Sequence, residues 1–387
     1  MQRVFSTITR RLFSFIFTLC TLILFQQHAV AQRINISLFH AEKLETFMLT
    51  SLSGEYEVRS GGKAIESIIK NEIIHVSIIG NSINVKAIGT DFGNFPKLEI
   101  VGLSRVTSFR IKPIAPAHES RSYEGNLSLT VVDGHLKIIN QVDMESYIAG
   151  VVETEGGPQS PLEYYKSQAL ICRTYALGHI DRHKSEGFQL CDGVHCQAYH
   201  GMSMNNNDVE IATNETAGMV IIDKSGKLIT AAYHSNCGGE TENSENVWTA
   251  PLPYLKSIEE DYCKQGPHSK WESSITVSDW KKYLKKNGFK YIDQLGPNDF
   301  MYRQDGRQYF YALKDDSMRL RKIRTDWKFK STYFRIIPVD DVLFFKGIGY
   351  GHGVGLCQEG AMEMARQGFT YDKIIHHYYK NTKIVKQ

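Results

Sequence analysis

The chain has 387 residues, enough for one large domain or two to three ordinary ones with a sizeable core. Its 42% hydrophobic and 22% charged residues are the mix of a soluble globular protein and argue against a disordered or fibrous one. The formal charge of +3 does not point to nucleic acid, because Arg3, Arg10 and Arg11 carry the whole excess and no concentrated basic face follows them.

Those arginines open a leader pattern. An apolar run, Leu12 to Phe25, follows them and ends near Ala29-Val30-Ala31, the small-x-small pattern a signal peptidase accepts. The pattern predicts a cleaved signal peptide over residues 1–31 and an exported protein, periplasmic or in the cell envelope. An uncleaved anchor is the rival reading. The run is short against the roughly 20 residues of a bilayer span, and no second span follows. Cys20 falls in the leader, leaving Cys172, Cys191, Cys196, Cys237, Cys263 and Cys357. Exported proteins keep disulfides, but sequence does not say which thiols pair.

Residues 32–140 read as a β-rich domain. Short Val- and Ile-rich runs, Ile73 to Ile79, Ile83 to Ile88 and Leu127 to Val132, alternate with turns such as Asp133-Gly134. No cluster of chemically able residues falls here, so the expected role is support. From 141 the pattern changes. Met144 to Val152 reads as a helix stopped near Gly156-Gly157. Ser160-Pro161-Leu162-Glu163 reads as the next helix start, with Ser160 at the N-cap and Pro161 at the first helical position. Leu162, Tyr165, Ala169, Cys172, Ala176 and Ile180 then give one apolar face. Gly187 to Ala232 reads as loops and short strands. An α/β insert is expected over 271–339, with a helix at Val277 to Gly288 that Ser278 is placed to cap. Residues 340–387 return to the core through the glycine-dense Gly347 to Gly355 and two helices, Gln358 to Gln367 and Tyr371 to Lys380. The fold class expected is α+β, with a mixed core built from 141–270 and 340–387.

Four segments concentrate the chemistry. The first ends in Glu155, a carboxylate at a helix end before a Gly-Gly break; apolar neighbours such as Val151 and Val152 offer the partial desolvation a general acid needs. The second is Cys191-Asp192-Gly193-Val194-His195-Cys196. Two thiolates and an imidazole within six residues suit a structural Zn²⁺, with His183 or His200 as fourth ligand; a Cys191–Cys196 disulfide is the alternative. The third, His234-Ser235-Asn236-Cys237-Gly238-Gly239, lacks the Gly-x-Ser-x-Gly elbow and reads as a loop that approaches a polar ligand, not as a nucleophile. The fourth, Gly347 to Gln358, lacks the Gly-Lys-Ser/Thr ending of a phosphate loop. It reads as a tightly packed loop placing His352 and Gln358 in a cleft.

In order and spacing these segments resemble the stage II sporulation protein D family, whose domain also occurs in amidase-enhancer proteins. The resemblance rests on Gly150-Val151-Val152, Glu155, Pro161-Leu162-Glu163, Lys166, Gln168-Ala169, Arg173 to Leu177, His195 to Tyr199, Gly238 to Thr241 and Gly351 to Ala361. It implies a lytic transglycosylase that cleaves the MurNAc–GlcNAc bond of peptidoglycan strands, preferably those stripped of stem peptides. On that resemblance Glu155 is the single acid/base, and Cys191, His195, Cys196 and His183 are structural zinc ligands. Arg173, Tyr199, His234, Ser235, His352 and Gln358 are candidates to orient sugar groups. The implied partners are glycan strands and, through the enhancer members, a cell-wall amidase. Three other outcomes are weighed: a non-catalytic glycan-binding enhancer of an amidase, a hydrolase using Glu153 or Glu240 as second carboxylate, and a zinc-stabilised structural protein. The chain departs from the family at Gly156-Gly157, where Met-Pro is common, and at Cys237 and Cys357, where small residues are common. A Cys237–Cys263 disulfide is one reading of that departure.

Overall fold

A computed structural model of the protein describes residues 32–387 except 105, 205 and 249. The leader reading, 1–31, lies outside the described residues. Among them, no helix is long and apolar enough to cross a membrane.

The fold is α+β. The N-terminal strands form two antiparallel-rich sheets. The first is seven-stranded, in the order Leu190–Cys191, Arg33–Leu38, His135–Asp143, Asn126–Val132, Lys97–Gly102, Tyr56–Ser60, Lys63–Ile68. The second is six-stranded, in the order Arg121–Glu124, Ser108–Ala115, Thr46–Ser53, Ile73–Ile79, Ser82–Ala87, Thr90–Phe95. Alternation fixes the register: along His135–Asp143 every second residue is buried, so Leu136, Ile138, Asn140 and Val142 face the core. The hairpin before it turns on Asp133 and Gly134, both at positive φ.

Among the described residues the α-helices are α1 (Met144–Gly156), α2 (Leu162–Gly178), α3 (Asn207–Glu215), α4 (Ser244–Val247), α5 (Val277–Lys286), α6 (Leu320–Asp326), α7 (Gln358–Arg366) and α8 (Tyr371–Tyr378). Helix α1 grows directly from the last long strand of the first sheet. Asp143 caps it, its carboxylate accepting from Glu145 N at 2.9 Å and Ser146 N at 3.4 Å. Helix α2 is buried on most of its circumference, including Tyr164, Ser167, Gln168, Leu170 and Thr174 as well as the expected apolar face. One hydrophobic core runs without a break from the N-terminal sheets through α1, α2, α7 and α8.

A second core gathers residues from Ile275 to Phe345 around Trp280, Phe300, Ile323 and Phe345. Its sheet pairs Lys270–Thr276 with Val342–Ile348, and that strand with Phe334–Val339, so this unit continues past residue 339 to Ile348.

Three local expectations are corrected. Pro161, not Ser160, is the N-cap of α2; the Ser160 hydroxyl donates back to Gly156 O at 3.1 Å, and Glu163 accepts from Tyr371 N at 2.8 Å instead of closing a capping box. Thr276, not Ser278, caps α5, accepting from Asp279 N at 3.1 Å. Helix α3 lies in the stretch read as loops and strands; only Val209, Ala212 and Thr213 of it are buried, too weak a stripe for its period to stand out.

Candidate active site

Helix α1 ends at the rim of a cleft of about 800 Å³. Glu155 to Ser160 form one wall, and Asp261, Tyr262 and Gln265 to His268 form another. Ser235 and, from α7, Gln358, Glu359, Met362 and Arg366 complete it. Glu155 is half-buried there. Its Oε1 accepts from the backbone N–H of Ala198 at 3.0 Å, and Gln358 Nε2 donates to its backbone carbonyl at 3.0 Å, tying α1 to α7. The Tyr233 side chain packs near the Glu155 carboxylate. Burial, then the neighbouring Cys172 and Glu155, push its hydroxyl well above its ordinary range, so it stays neutral. Beneath lies Cys172, fully buried, its thiol pushed up by burial and by Glu155. The carboxylate therefore has one wet face, toward the cleft, and one apolar face with a fixed donor. That is a setting in which a carboxyl group can give and retake a proton.

The Gly156-Gly157 departure has a backbone cause. Gly157 sits at φ 70°, ψ 166°, a region essentially reserved for glycine, and from there its carbonyl accepts from the Tyr165 hydroxyl at 2.7 Å. Gly157→Ala meets no atom within 4 Å, so its cost is conformational alone. The expected loss is about 1–3 kcal/mol, read by urea denaturation.

The loop that supplies Ala198 also carries the thiolate–imidazole cluster. Ligating atoms of His183, Cys191, His195 and Cys196 all lie within 4.8 Å of one another. Cys196 Sγ is 3.5 Å from His183 Nε2 and 3.8 Å from His195 Nδ1, and Cys191 Sγ is 3.8 Å from the same Nδ1. A tetrahedral Zn²⁺ with ordinary bonds puts its sulfur and nitrogen ligands about 3.4–3.8 Å apart, so the donor set fits. His183 Nδ1 is 2.6 Å from Glu186 Oε1, which fixes the tautomer and leaves Nε2 free to ligate. His200 is not part of the set; its N–H donates to Thr154 Oγ1 at 3.4 Å. All six described cysteines are free thiols, so no Cys191–Cys196 or Cys237–Cys263 disulfide is present among the described residues. Cys191 extends the first sheet beside Ser37, and Asp192 is anchored by Phe39 N at 2.7 Å and Arg121 Nη1 at 3.0 Å. The β-rich region thus holds the loop that holds Glu155.

Comparison with known proteins agrees with this anatomy. Residues 132–222, spanning Glu155 and the cluster, match the sequence profile described as Stage II sporulation protein. Stage II sporulation protein D of Bacillus subtilis is 27% identical over 297 residues, 73% of this chain and 85% of that protein. The chain is similar to the stage II sporulation protein D family over the segment that carries Glu155 and the cluster. An uncharacterized protein of Brachyspira hyodysenteriae is 28% identical over 267 residues, 68% of this chain and 72% of that one. The amidase enhancer of Bacillus subtilis is 29% identical over 289 residues, 61% of this chain and 40% of the enhancer.

Ser235 and Gln358 line the cleft with Glu155, but four other sugar-orienting candidates do not. Arg173 is 1% exposed and forks onto Glu145, with Nη1 donating to Met219 O at 3.0 Å, so it is buried away from the cleft. Tyr199 is fully buried against Tyr123, Tyr147 and Gly150. His234 is buried beside Val354, 3.2 Å from its carbonyl. His352 faces a separate cavity of about 200 Å³ with Trp248, Arg321 and Arg324. Arg173, Tyr199 and His234 are committed to packing, while His352 keeps a face toward its own cavity. The glycine loop is the packed seam expected of it: at Gly355, φ 75°, a Cβ would lie 2.1 Å from Ala232 O. Neither suggested second carboxylate lines the cleft. Glu153 is held by Ser203 and Met204, and Glu240 by Ser257 and Arg307. Sequence reading missed three cleft carboxylates: Glu359, fixed by Asn236 Nδ2 at 2.6 Å and by His268, and at the rim Asp261 and Glu363, paired with Lys264 and Arg366. Tyr233 was also missed, although it adjoins the His234-Ser235 segment.

His352 carries a pH signature. Burial, then Arg324 and Arg307, lower its pKa from 6.5 to about 4. It is neutral in the fold and protonates more readily when unfolded. Its contribution is therefore complete above about pH 6.5 and is lost as pH falls toward 4. At pH 5 the expected loss is on the order of 2 kcal/mol. His352→Asn should flatten that part of the stability–pH curve, measured by urea denaturation between pH 7 and 5.

Proposed function

We propose that the protein acts on the bacterial cell wall as a peptidoglycan lytic transglycosylase, with Glu155 as its single proton-transferring group. The observation that carries the reading is the placement of Glu155: half-exposed in a cleft of about 800 Å³, on an apolar floor, held by Ala198 N–H. Ordinary glycosidases need a second carboxylate to attack or to activate water. Here the muramic acid's 6-hydroxyl is the nucleophile, so its positional entropy is largely prepaid. Glu155 protonates the glycosidic oxygen as the bond breaks, then takes the proton of the 6-hydroxyl as it bonds to the anomeric carbon. The sugar leaves as a 1,6-anhydroMurNAc end and Glu155 is again protonated. Glu359 takes no part in this scheme, because Asn236 and His268 occupy its oxygens.

Zn²⁺ is the ion proposed for His183, Cys191, His195 and Cys196. Four protein ligands leave no open position, so its contribution is to stiffen the loop that aims Ala198 at Glu155. An exported location follows from the leader pattern and from the substrate.

The similarity to an amidase enhancer supports a second reading, binding of denuded glycan without cleavage, in partnership with an amidase. Strand length separates the two. Incubation of peptide-free glycan strands with the protein alone should shorten them on size-exclusion chromatography. Unshortened but bound strands favour the enhancer.

A further inference from the structure

Behind the cleft, three segments far apart in sequence turn sulfur and oxygen atoms toward one point. Cys237, Cys263 and Cys357 are each fully buried and Glu260 is 4% exposed. One ligating atom from each lies within 4.8 Å of all the others. Cys237 and Cys263 Sγ are 3.4 Å apart, near the spacing of two thiolates on one tetrahedral ion, about 3.8 Å.

Buried thiols pack as small apolar groups, but a carboxylate buried among three of them is costly unless a cation or several donors meet it. A Cys237–Cys263 disulfide would use two of the four groups and leave Cys357 and Glu260 buried without a role. A metal ion uses all four. The surroundings suit an anionic ligand set. Cys237 N–H donates to Cys357 Sγ at 3.2 Å, Cys263 N–H to Glu260 Oε1 at 3.0 Å, and the Tyr378 hydroxyl to Glu260 Oε2. Cys357 is also the N-cap of α7, where the helix favours negative charge. The approach of the carboxylate depends on Gly360, where a Cβ would lie 2.1 Å from Glu260 Oε2.

We infer that Cys237, Glu260, Cys263 and Cys357 form a second, structural metal site for a thiophilic ion of the Zn²⁺ class. Binding deprotonates the three thiols and releases those protons to solvent. Thiolate donors select Zn²⁺ over hard cations, and four protein ligands close the site. Its position explains its use. Cys237 follows Ser235, Cys357 precedes Gln358, and Glu260 and Cys263 flank Asp261 and Tyr262, all of which line the cleft. The ion would staple the three segments that face Glu155. The site does not depend on the glycan-cleaving reading, and its test does not use activity.

The test counts zinc per chain by plasma mass spectrometry, on full-length protein expressed with zinc and purified without reductant, beside non-reducing peptide mapping. Cys263→Ser should hold one zinc fewer than wild type. Cys191→Ser, disabling the first cluster, should retain one, and Cys191→Ser/Cys263→Ser none. If Cys263→Ser does not fold, the ion retained by Cys191→Ser decides. Equal zinc in wild type and Cys263→Ser, no zinc in folded Cys191→Ser, or a Cys237–Cys263 disulfide in wild type overturns the site.

Discussion

Glu155→Gln is expected to lower the rate of glycan cleavage by about 10²–10⁴-fold while leaving the fold and glycan binding in place. The amide is nearly isosteric with the carboxylate. Its oxygen still accepts from Ala198 N–H, and Gln358 still reaches the carbonyl of residue 155. What disappears is the proton. Without it the glycosidic oxygen must leave as an alkoxide, and nothing accepts the proton of the 6-hydroxyl. Glu155→Asp should fall between the two: it keeps the acid but draws it back by one methylene, and misplacement of about 1 Å costs on the order of 10²-fold. Kinetics on peptide-free strands, with circular dichroism as the check on folding, measures both. Unchanged turnover in Glu155→Gln would remove the carboxylate from the mechanism.

Arg173→Met is expected to destabilise the protein by about 3 kcal/mol or more without touching the cleft. Arg173 is the buried clasp among α1, α2, the end of α3 and the strand Met219–Ile222. It forks onto Glu145, donates to Met219 O and reaches Thr213 O, while Glu145 also accepts from Gly218 N at 3.1 Å. Loss of the guanidinium leaves a half-buried carboxylate without its cation and takes one donor from each of the Met219 and Thr213 carbonyls. Because Glu145 keeps 27% side-chain exposure, water recovers part of the cost, which sets the expectation near the lower end for a broken buried pair. Lysine cannot fork and should rescue little. Removing both partners, in Arg173→Met/Glu145→Met, should recover much of the stability. Urea denaturation of the three variants tests this, and a ligand-binding role for Arg173 would instead appear as weakened glycan affinity at unchanged stability.

The case of Arg173 shows how far the sequence could be read. Strands such as Ile73–Ile79 and Asn126–Val132 were legible because burial alternates along them and turn residues bound them. Glu155 stood out because a helix ends there at two glycines, within an ordered set of motifs. Cys191, His195 and Cys196 were legible because a short loop must place nearby donors together, and His183 joins them from the start of the short 3-10 turn Lys184–Glu186 that precedes that loop. The motif residues Arg173, Tyr199 and His234 lie away from the cleft for a physical reason. A polar side chain fixed by a buried ion pair, an aromatic cluster or a carbonyl carries the same letters as one that faces a ligand. The wall Asp261 to His268 was not legible, since it meets Glu155 only after the chain has folded across more than a hundred residues. The same holds for Cys237, Glu260, Cys263 and Cys357, whose convergence no local spacing announces.

The most direct test is the chemistry of the chain ends that the protein makes. Peptide-free glycan strands, digested by wild type beside Glu155→Gln, are resolved by liquid chromatography and mass spectrometry. The account predicts fragments ending in 1,6-anhydroMurNAc, with no water added across the broken bond, from wild type and none from the variant. Fragments with reducing MurNAc ends, or strands left at their original length by wild type, would contradict it.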